Sequence, residues 1–227
     1  MSTYYQLFKK YESQFESYGV YNKSPSNFIK DHEDNLKINN NYYHFISKRE
    51  FENLMKQTNI SNEERIIINK TYIGHVFSWH LNAKLRKSEN LETKENLVKC
   101  TLKNIINKNI LKNNYLCKRY VKLDYIENVF GIYPSKLNDY NLRSKLNEHV
   151  GSVKVEKGFM SCSMTNTHII EGECLLNVYV NSGKKAFITD NLKETEIIFD
   201  CNTRYKILKV EVKSTGKLKI IINILIL

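Results

Sequence analysis

The chain predicts an α+β fold, on three observations. Helical apolar spacing dominates the first half. Short β-branched runs dominate the second. Neither an alternating βαβ pattern nor a Gly-x-Gly-x-x-Gly or Walker loop interleaves them. Helices first and strands later put the helices against a largely antiparallel sheet rather than around a parallel one.

Within residues 3–18, Tyr4, Leu7, Phe8, Tyr11 and Phe15 share one helical face. Ser61 with Glu64 forms a capping-box pair and opens a helical period through EERIIINKTYIGHVFSWHLNAKLRK, in which Gly74 is the expected break and Trp79 an expected core residue. Further helices are predicted at 92–109 and 137–150. Strands are predicted at 115–122, 152–162, 174–180, 184–189, 196–200, 205–213 and 217–226, separated by turns such as Asn181-Ser182-Gly183 and Thr215-Gly216. The apolar end, IIINILIL, is too short to span a bilayer and reads as a final buried strand. A chain of 227 residues with 41% hydrophobic residues suits a single domain over 1–227, with 1–58 as a helical N-terminal appendage.

The net charge of +11 is spread along the chain without a block of five like charges, and no RNP aromatic motif accompanies it, so nucleic acid is not the expected partner. The five cysteines, Cys100, Cys117, Cys162, Cys174 and Cys201, are odd in number and lack a Cys-x-x-Cys pair. That argues against a disulfide scaffold or a zinc site and for a reducing compartment at the place of action. His75 and His80 miss the i, i+4 spacing of a helical zinc pair, and no metal is expected. The start, MSTYYQLFKKYESQFESYG, is polar and amphipathic, without the pattern of a signal peptide.

Glu194-Thr195-Glu196 stands directly before the apolar run Ile197-Ile198-Phe199. On a strand, residues i and i+2 face the same way, which sets two carboxylates side by side at a strand mouth. Upstream lie the strand Tyr115-Leu116-Cys117-Lys118-Arg119-Tyr120-Val121 and the segment Gly158-Phe159-Met160-Ser161-Cys162-Ser163-Met164-Thr165. In this order the three motifs resemble the mono-ADP-ribosyltransferases of the Arg–Ser–Glu class, within the bacterial exotoxin group that holds the binary actin-modifying toxins and the Rho-modifying exoenzymes. That family carries an Arg on the first core strand, an aromatic-x-Ser-Thr-Ser strand and a Glu/Gln-x-Glu turn; here Cys162 takes the Thr place. The segment TYIGHVFSWHLNAKLRK resembles the family's preceding helix, with Tyr72, Gly74, Asn82, Leu85 and Arg86 at its marked positions. The likeness covers roughly residues 60–227.

The resemblance implies helices packed on a two-sheet, mostly antiparallel β-sandwich of the ADP-ribosyltransferase type, with NAD as co-substrate and no metal. It assigns Arg119 to the pyrophosphate, which a planar guanidinium grips bidentately. Glu196 would bond the ribose 2′-hydroxyl and stabilise positive charge as nicotinamide leaves. Ser161 would hold the rotamer of Glu196, and Ser163 would support the strand or the site. Tyr72, Asn82 and Arg86 join the NAD-binding set. Glu194 is the specificity residue: in the family Glu here accompanies arginine acceptors and Gln asparagine acceptors. A cationic guanidinium needs an anion to orient it and to take its proton. The segment TNTHIIEGE holds neither the Arg nor the aromatic that the family usually carries there, so phosphate binding falls to Arg119, Lys118 or Arg86. The expected activity is transfer of ADP-ribose to an arginine of a protein, possible targets including actin, with slow NAD hydrolysis without an acceptor. Alternatives are transfer to an Asn or Gln side chain or to nucleic acid, or an inactive binding or adaptor domain. A secreted effector acting in a target-cell cytosol, beside a translocation component, is the implied setting, with a cytoplasmic enzyme as the other.

Overall fold

The computed structural model describes residues 2–16, 18, 35–38, 41–73, 75–166, 172–213 and 219–227. Helix α1 (Thr3–Glu16) leads to a hairpin of β1 (Asn35–Ile38) and β2 (Asn41–His44), then to four helices, α2 (Lys48–Gln57), α3 (Asn62–Thr71), α4 (Val76–Lys87) and α5 (Thr93–Lys108). Strand β3 (Tyr115–Val121) follows, then α6 (Leu123–Phe130), a 3₁₀ turn (Pro134–Lys136) and α7 (Asp139–Asn147). The remainder is β-rich: β4 (Val153–Glu156), β5 (Met160–Ser163), β6 (Cys174–Val180), β7 (Phe187–Ile188), β8 (Glu196–Phe199), β9 (Thr203–Val212) and β10 (Ile220–Ile226).

The α+β expectation holds. Eight strands join in the order β4-β9-β10-β6-β3-β5-β8-β7, antiparallel except for β10 against β6. The seam between β3 and β5 is a single residue pair, Lys118 with Ser163. It divides a five-stranded part from a three-stranded part, and this is how two sheets exist within one ladder order. The five-stranded part also curls. In a flat sheet β3 and β4 would lie about 19 Å apart, four spacings of ~4.8 Å. Yet Arg119 of β3 and Glu156 of β4 form an ion pair at 3.4 Å.

Period-2 alternation partitions the strands between two cores. Met160, Cys162, Ile197 and Phe199 enter the larger core with Cys117, Leu176 and Ile222, while Phe159, Phe187 and Ile198 enter a second core with Phe8 and Phe15 of α1, Ile67 and Ile68 of α3, Phe77 and Leu81 of α4, and Leu102 of α5. Strand β8 is therefore buried on both faces. The capping box at the start of α3 is present, with Ser61 Oγ accepting from the Glu64 amide at 3.2 Å and a Glu64 carboxylate oxygen accepting from the Ser61 amide at 2.9 Å.

Two expectations need correction, the strand over 152–162 and Trp79. The strand expected over 152–162 is two strands, because the chain turns at Lys157-Gly158-Phe159. The break expected in the 61–87 helical segment is present, between Thr71 and Val76; Gly74 itself lies outside the described residues, as does Thr215-Gly216. Trp79 is 55% exposed rather than core. Phe77 and Leu81, one turn apart, define the buried face of α4, and Trp79 lies about 200° around the helix from Phe77. The β1–β2 hairpin, α2 and α6 were not predicted.

Candidate active site

Strands β5 and β8 pair antiparallel with Ser163 opposite Glu196 and Ser161 opposite Ile198. Ser161, Ser163 and Glu196 thus share one face, and Ser161 stands diagonally across from Glu196. Ser161 Oγ donates to Glu196 Oε1, and Thr189 Oγ1 donates to Glu196 Oε2 at 3.3 Å. Glu196 is only 7% exposed. Burial, reinforced by the charge of Glu194, pushes its carboxyl up to about 7 against the pull of those two hydroxyls.

Glu194 reaches the same cleft by another route. Strand β8 begins only at Glu196, and Thr195 sits in the left-handed region at φ 45°. For a β-branched residue this costs about 1–3 kcal/mol. The two carboxylates are therefore brought together by a kinked turn rather than by strand alternation. Thr195 Oγ1 donates to the Glu194 carbonyl at 2.8 Å and contacts the hydroxyls of Ser163 at 3.0 Å and Thr165 at 2.8 Å. Ser163, expected to support the strand or the site, contacts Thr195 Oγ1 and donates to the Thr165 carbonyl at 3.3 Å. The Glu194 amide donates to Asn191 Oδ1 at 3.3 Å, and burial raises the pKa of the Glu194 carboxyl.

Across the cleft, Glu156 gathers two arginines. Its Oε1 accepts from Arg86 Nε at 2.9 Å and from the Gly158 amide at 3.0 Å, and its Oε2 lies 3.4 Å from Arg119 Nη2. Burial depresses the pKa of Arg119, but Glu156 and neighbouring groups outweigh it, so the guanidinium stays charged. Asn82 donates to the Tyr72 hydroxyl at 2.9 Å and accepts from the Phe159 amide at 2.8 Å, clipping α4 to the turn before β5. Lys118, which also contributes to the cleft lining, follows the other face of β3 from Arg119, and its ammonium bonds Asn166 at 2.5 Å and lies 4.9 Å from the Phe45 ring centroid.

Glu194, Glu196, Ser161, Tyr72, Asn82, Arg86, Arg119 and Glu156 line one cleft of about 970 Å³. Arg119 Nη1 is buried with no hydrogen-bond acceptor among the described residues. A buried guanidinium nitrogen without an acceptor suits an anionic ligand such as a pyrophosphate. No group of three or more His, Cys, Asp or Glu among the described residues is placed to hold a metal ion.

The sequence model of the ADP-ribosyltransferase exoenzyme family matches residues 21–227. The chain belongs to this family. It is an NAD-dependent mono-ADP-ribosyltransferase of the bacterial toxin type, with NAD as co-substrate. Solved exoenzymes share its fold at low identity. C3stau2 from S. aureus with NAD is 19% identical, with a TM-score of 0.67, covering 82% of this chain and 97% of that one. The Clostridium limosum C3 exoenzyme is 16% identical, with a TM-score of 0.65, covering 79% and 92%. The enzymatic component C2-I of the C2-toxin from Clostridium botulinum is 14% identical, with a TM-score of 0.64, covering 92% of this chain and 59% of that one. No curated protein matches the chain.

Of the candidate residues, Tyr72, Asn82, Arg86, Arg119, Ser161, Ser163, Glu194 and Glu196 all line this exoenzyme cleft. Residues 167–171 of TNTHIIEGE lie outside the described residues. Sequence reasoning missed Glu156, Thr189 and Thr195. Thr189 and Thr195 lacked a signal beyond their closeness to the Glu-x-Glu pair. The signal at Glu156 was inverted: in VKVE, Val153 and Val155 are exposed and Glu156 is buried.

Proposed function

We propose that the chain transfers ADP-ribose from NAD to an arginine side chain of a protein, with residues 1–227 acting as one catalytic unit. The observation that carries this reading is Glu194, a second, half-buried carboxylate that lines the same cleft as Glu196. NAD supplies the reactive bond, between nicotinamide and ribose C1′, and its cleavage places positive charge on the ribose. Glu196, held at both oxygens, presents a fixed carboxylate to that charge without reorganising. Arg119, with Arg86 beside it, binds the pyrophosphate. Asn82 and Tyr72 hold the helix side of the cleft in register with β5. Glu194 orients the acceptor guanidinium and takes the proton that its nitrogen gives up as it bonds to C1′.

Without an acceptor, water takes the guanidinium's place and NAD is hydrolysed slowly. A second reading, transfer to an amide, is the one the family resemblance pairs with Gln at this position; Glu194 speaks against it. An actin-like target is what the sequence resemblance implies, and a separate delivery component, with action in a target-cell cytosol, is in keeping with a neighbour named as the enzymatic component of a toxin.

The test is nicotinamide release from NAD together with labelling of proteins in a cell lysate. Glu196→Gln should lower both by on the order of 10²-fold or more, the scale of removing one preorganised electrostatic group. Equal rates in wild type and Glu196→Gln would remove the assignment. Glu194→Gln should abolish arginine labelling while sparing nicotinamide release. Mass spectrometry of the modified residue separates an arginine from an amide acceptor.

A further inference from the structure

Glu196 and Glu194 are held in different ways. Glu196 is fixed through its side chain, by hydroxyls of Ser161 and Thr189. The Glu194 carboxylate accepts no side-chain hydrogen bond among the described residues, so its aim is set by the backbone that follows it. That backbone is Thr195, 3% exposed and held at φ 45°, where a β-branched residue does not rest unaided.

The unusual conformation is answered by a matched set of hydroxyls. A threonine hydroxyl has one proton and two lone pairs. Thr195 Oγ1 donates its proton to the Glu194 carbonyl, and this leaves it as acceptor for Thr165 and for Ser163, whose single proton is shared with the Thr165 carbonyl at 3.3 Å. The Thr195 carbonyl in turn accepts from the Met164 amide at 3.0 Å. All of these supports come from the end of β5 and the residues just beyond it.

We propose that Ser163, Thr165 and Thr195 form a hydroxyl clasp that holds the left-handed turn at Thr195 and so aims Glu194 at the acceptor, making Thr195 a positioning residue for transfer and not for NAD cleavage. The proposal rests on the reading that Glu194 serves the acceptor. Thr195 does not line the cleft, so its effect passes through Glu194. Ser163 thereby acquires a role in acceptor choice that its place next to the NAD site does not suggest. The functional consequence is a ratio: the clasp sets how much of the NAD turnover ends on protein and how much on water. Strain at a site of this kind persists only where the surroundings hold it, and here the holding groups are identified.

The experiment compares nicotinamide release in buffer with labelling of lysate proteins. Thr195→Val keeps the shape and loses the hydroxyl. It should cut labelling roughly 10- to 100-fold, the cost of a small misplacement, while nicotinamide release stays within about twofold. Thr195→Gly adopts positive φ freely and needs no clasp, so its labelling should stay within about threefold of wild type. Ser163→Ala should lower labelling in the wild type and add nothing in the Thr195→Gly background, a coupling that a merely structural role would not produce. The proposal is overturned if Thr195→Val lowers both readouts equally, if Thr195→Gly is as impaired as Thr195→Val, or if Ser163→Ala has the same effect in both backgrounds. Should Thr195→Val not fold, as judged by thermal melting, the two Ser163→Ala comparisons decide alone. Wild-type labelling of an amide would sink the arginine reading and leave the clasp standing. A wild type that neither releases nicotinamide nor labels protein overturns both.

Discussion

Glu194 and Glu196 are one residue apart, and burial raises both. For Glu196 the value of about 7 has two consequences. The charged form is needed to stabilise the ribose, so kcat/KM for NAD should rise as pH passes through about 7 and fall below it. A pH–rate profile flat from 5 to 9 would contradict this. The second consequence concerns stability. The folded protein retains a proton on Glu196 that the unfolded chain releases near the usual 4.5. Stability therefore falls as pH rises from about 4.5 to about 7 and stays lowered above, by ~3 kcal/mol for this group. Glu196→Gln should accordingly melt higher than wild type at pH 8, with the difference gone near pH 4.5. The pair itself was legible in the sequence because Glu-x-Glu ahead of an apolar run is a local pattern. Its geometry was not, because the sign of φ at Thr195 is set by Ser163 and Thr165, about thirty residues away.

At the scale of elements, the turn Lys157-Gly158-Phe159 does what a continuous strand could not. It ends β4, carries the chain to β5 on the far side of the seam, and places the Phe159 amide on Asn82. A Cβ built on Gly158 would lie 2.9 Å from Asn82 Oδ1 and 3.3 Å from both Arg86 Nη2 and Glu156 Oε1. Gly158→Ala should therefore disturb the Asn82 and Arg86 contacts together and weaken NAD binding by roughly tenfold, about 1.4 kcal/mol. Calorimetric titration with NAD reads this directly; unchanged affinity would show that the turn yields without cost. Long amphipathic helices and apolar strands such as α5 and β10 were readable because their own periodicity specifies them. Helix α2 carries a capping box at Ser47 and Glu50 but buries only Phe51, too little apolar signal to be seen. Strand β4 reads backwards, since its polar Glu156 faces inward to the arginines.

For the whole molecule, the decisive contact is between strands four places apart in the ladder. Glu156 ties the edge strand β4 to Arg119 on β3 and to Arg86 on α4, so one carboxylate joins both ends of the curled sheet and the helical layer. Glu156→Ala would leave the largely buried Arg119 without its counter-charge. The expected cost is about 3–5 kcal/mol in urea unfolding, the range for breaking a buried ion pair. A loss under about 1 kcal/mol would mean that packing alone maintains the curl. The exchange Glu156→Gln keeps the shape and should recover part of the stability while leaving the arginines less firmly held.

By itself the sequence determined the α+β class, most of the helices and strands, and the ordered Arg119, Ser161 and Glu194–Glu196 set, because each of these depends on spacing within a short segment. Only the tertiary structure decided that Arg119 pairs with Glu156 while Lys118 bonds Asn166, why Glu156 is buried, and how Glu194 comes to share a cleft with Glu196. Each depends on groups far apart in the chain, and on burial and hydrogen-bond satisfaction that arise only once the sheet has curled.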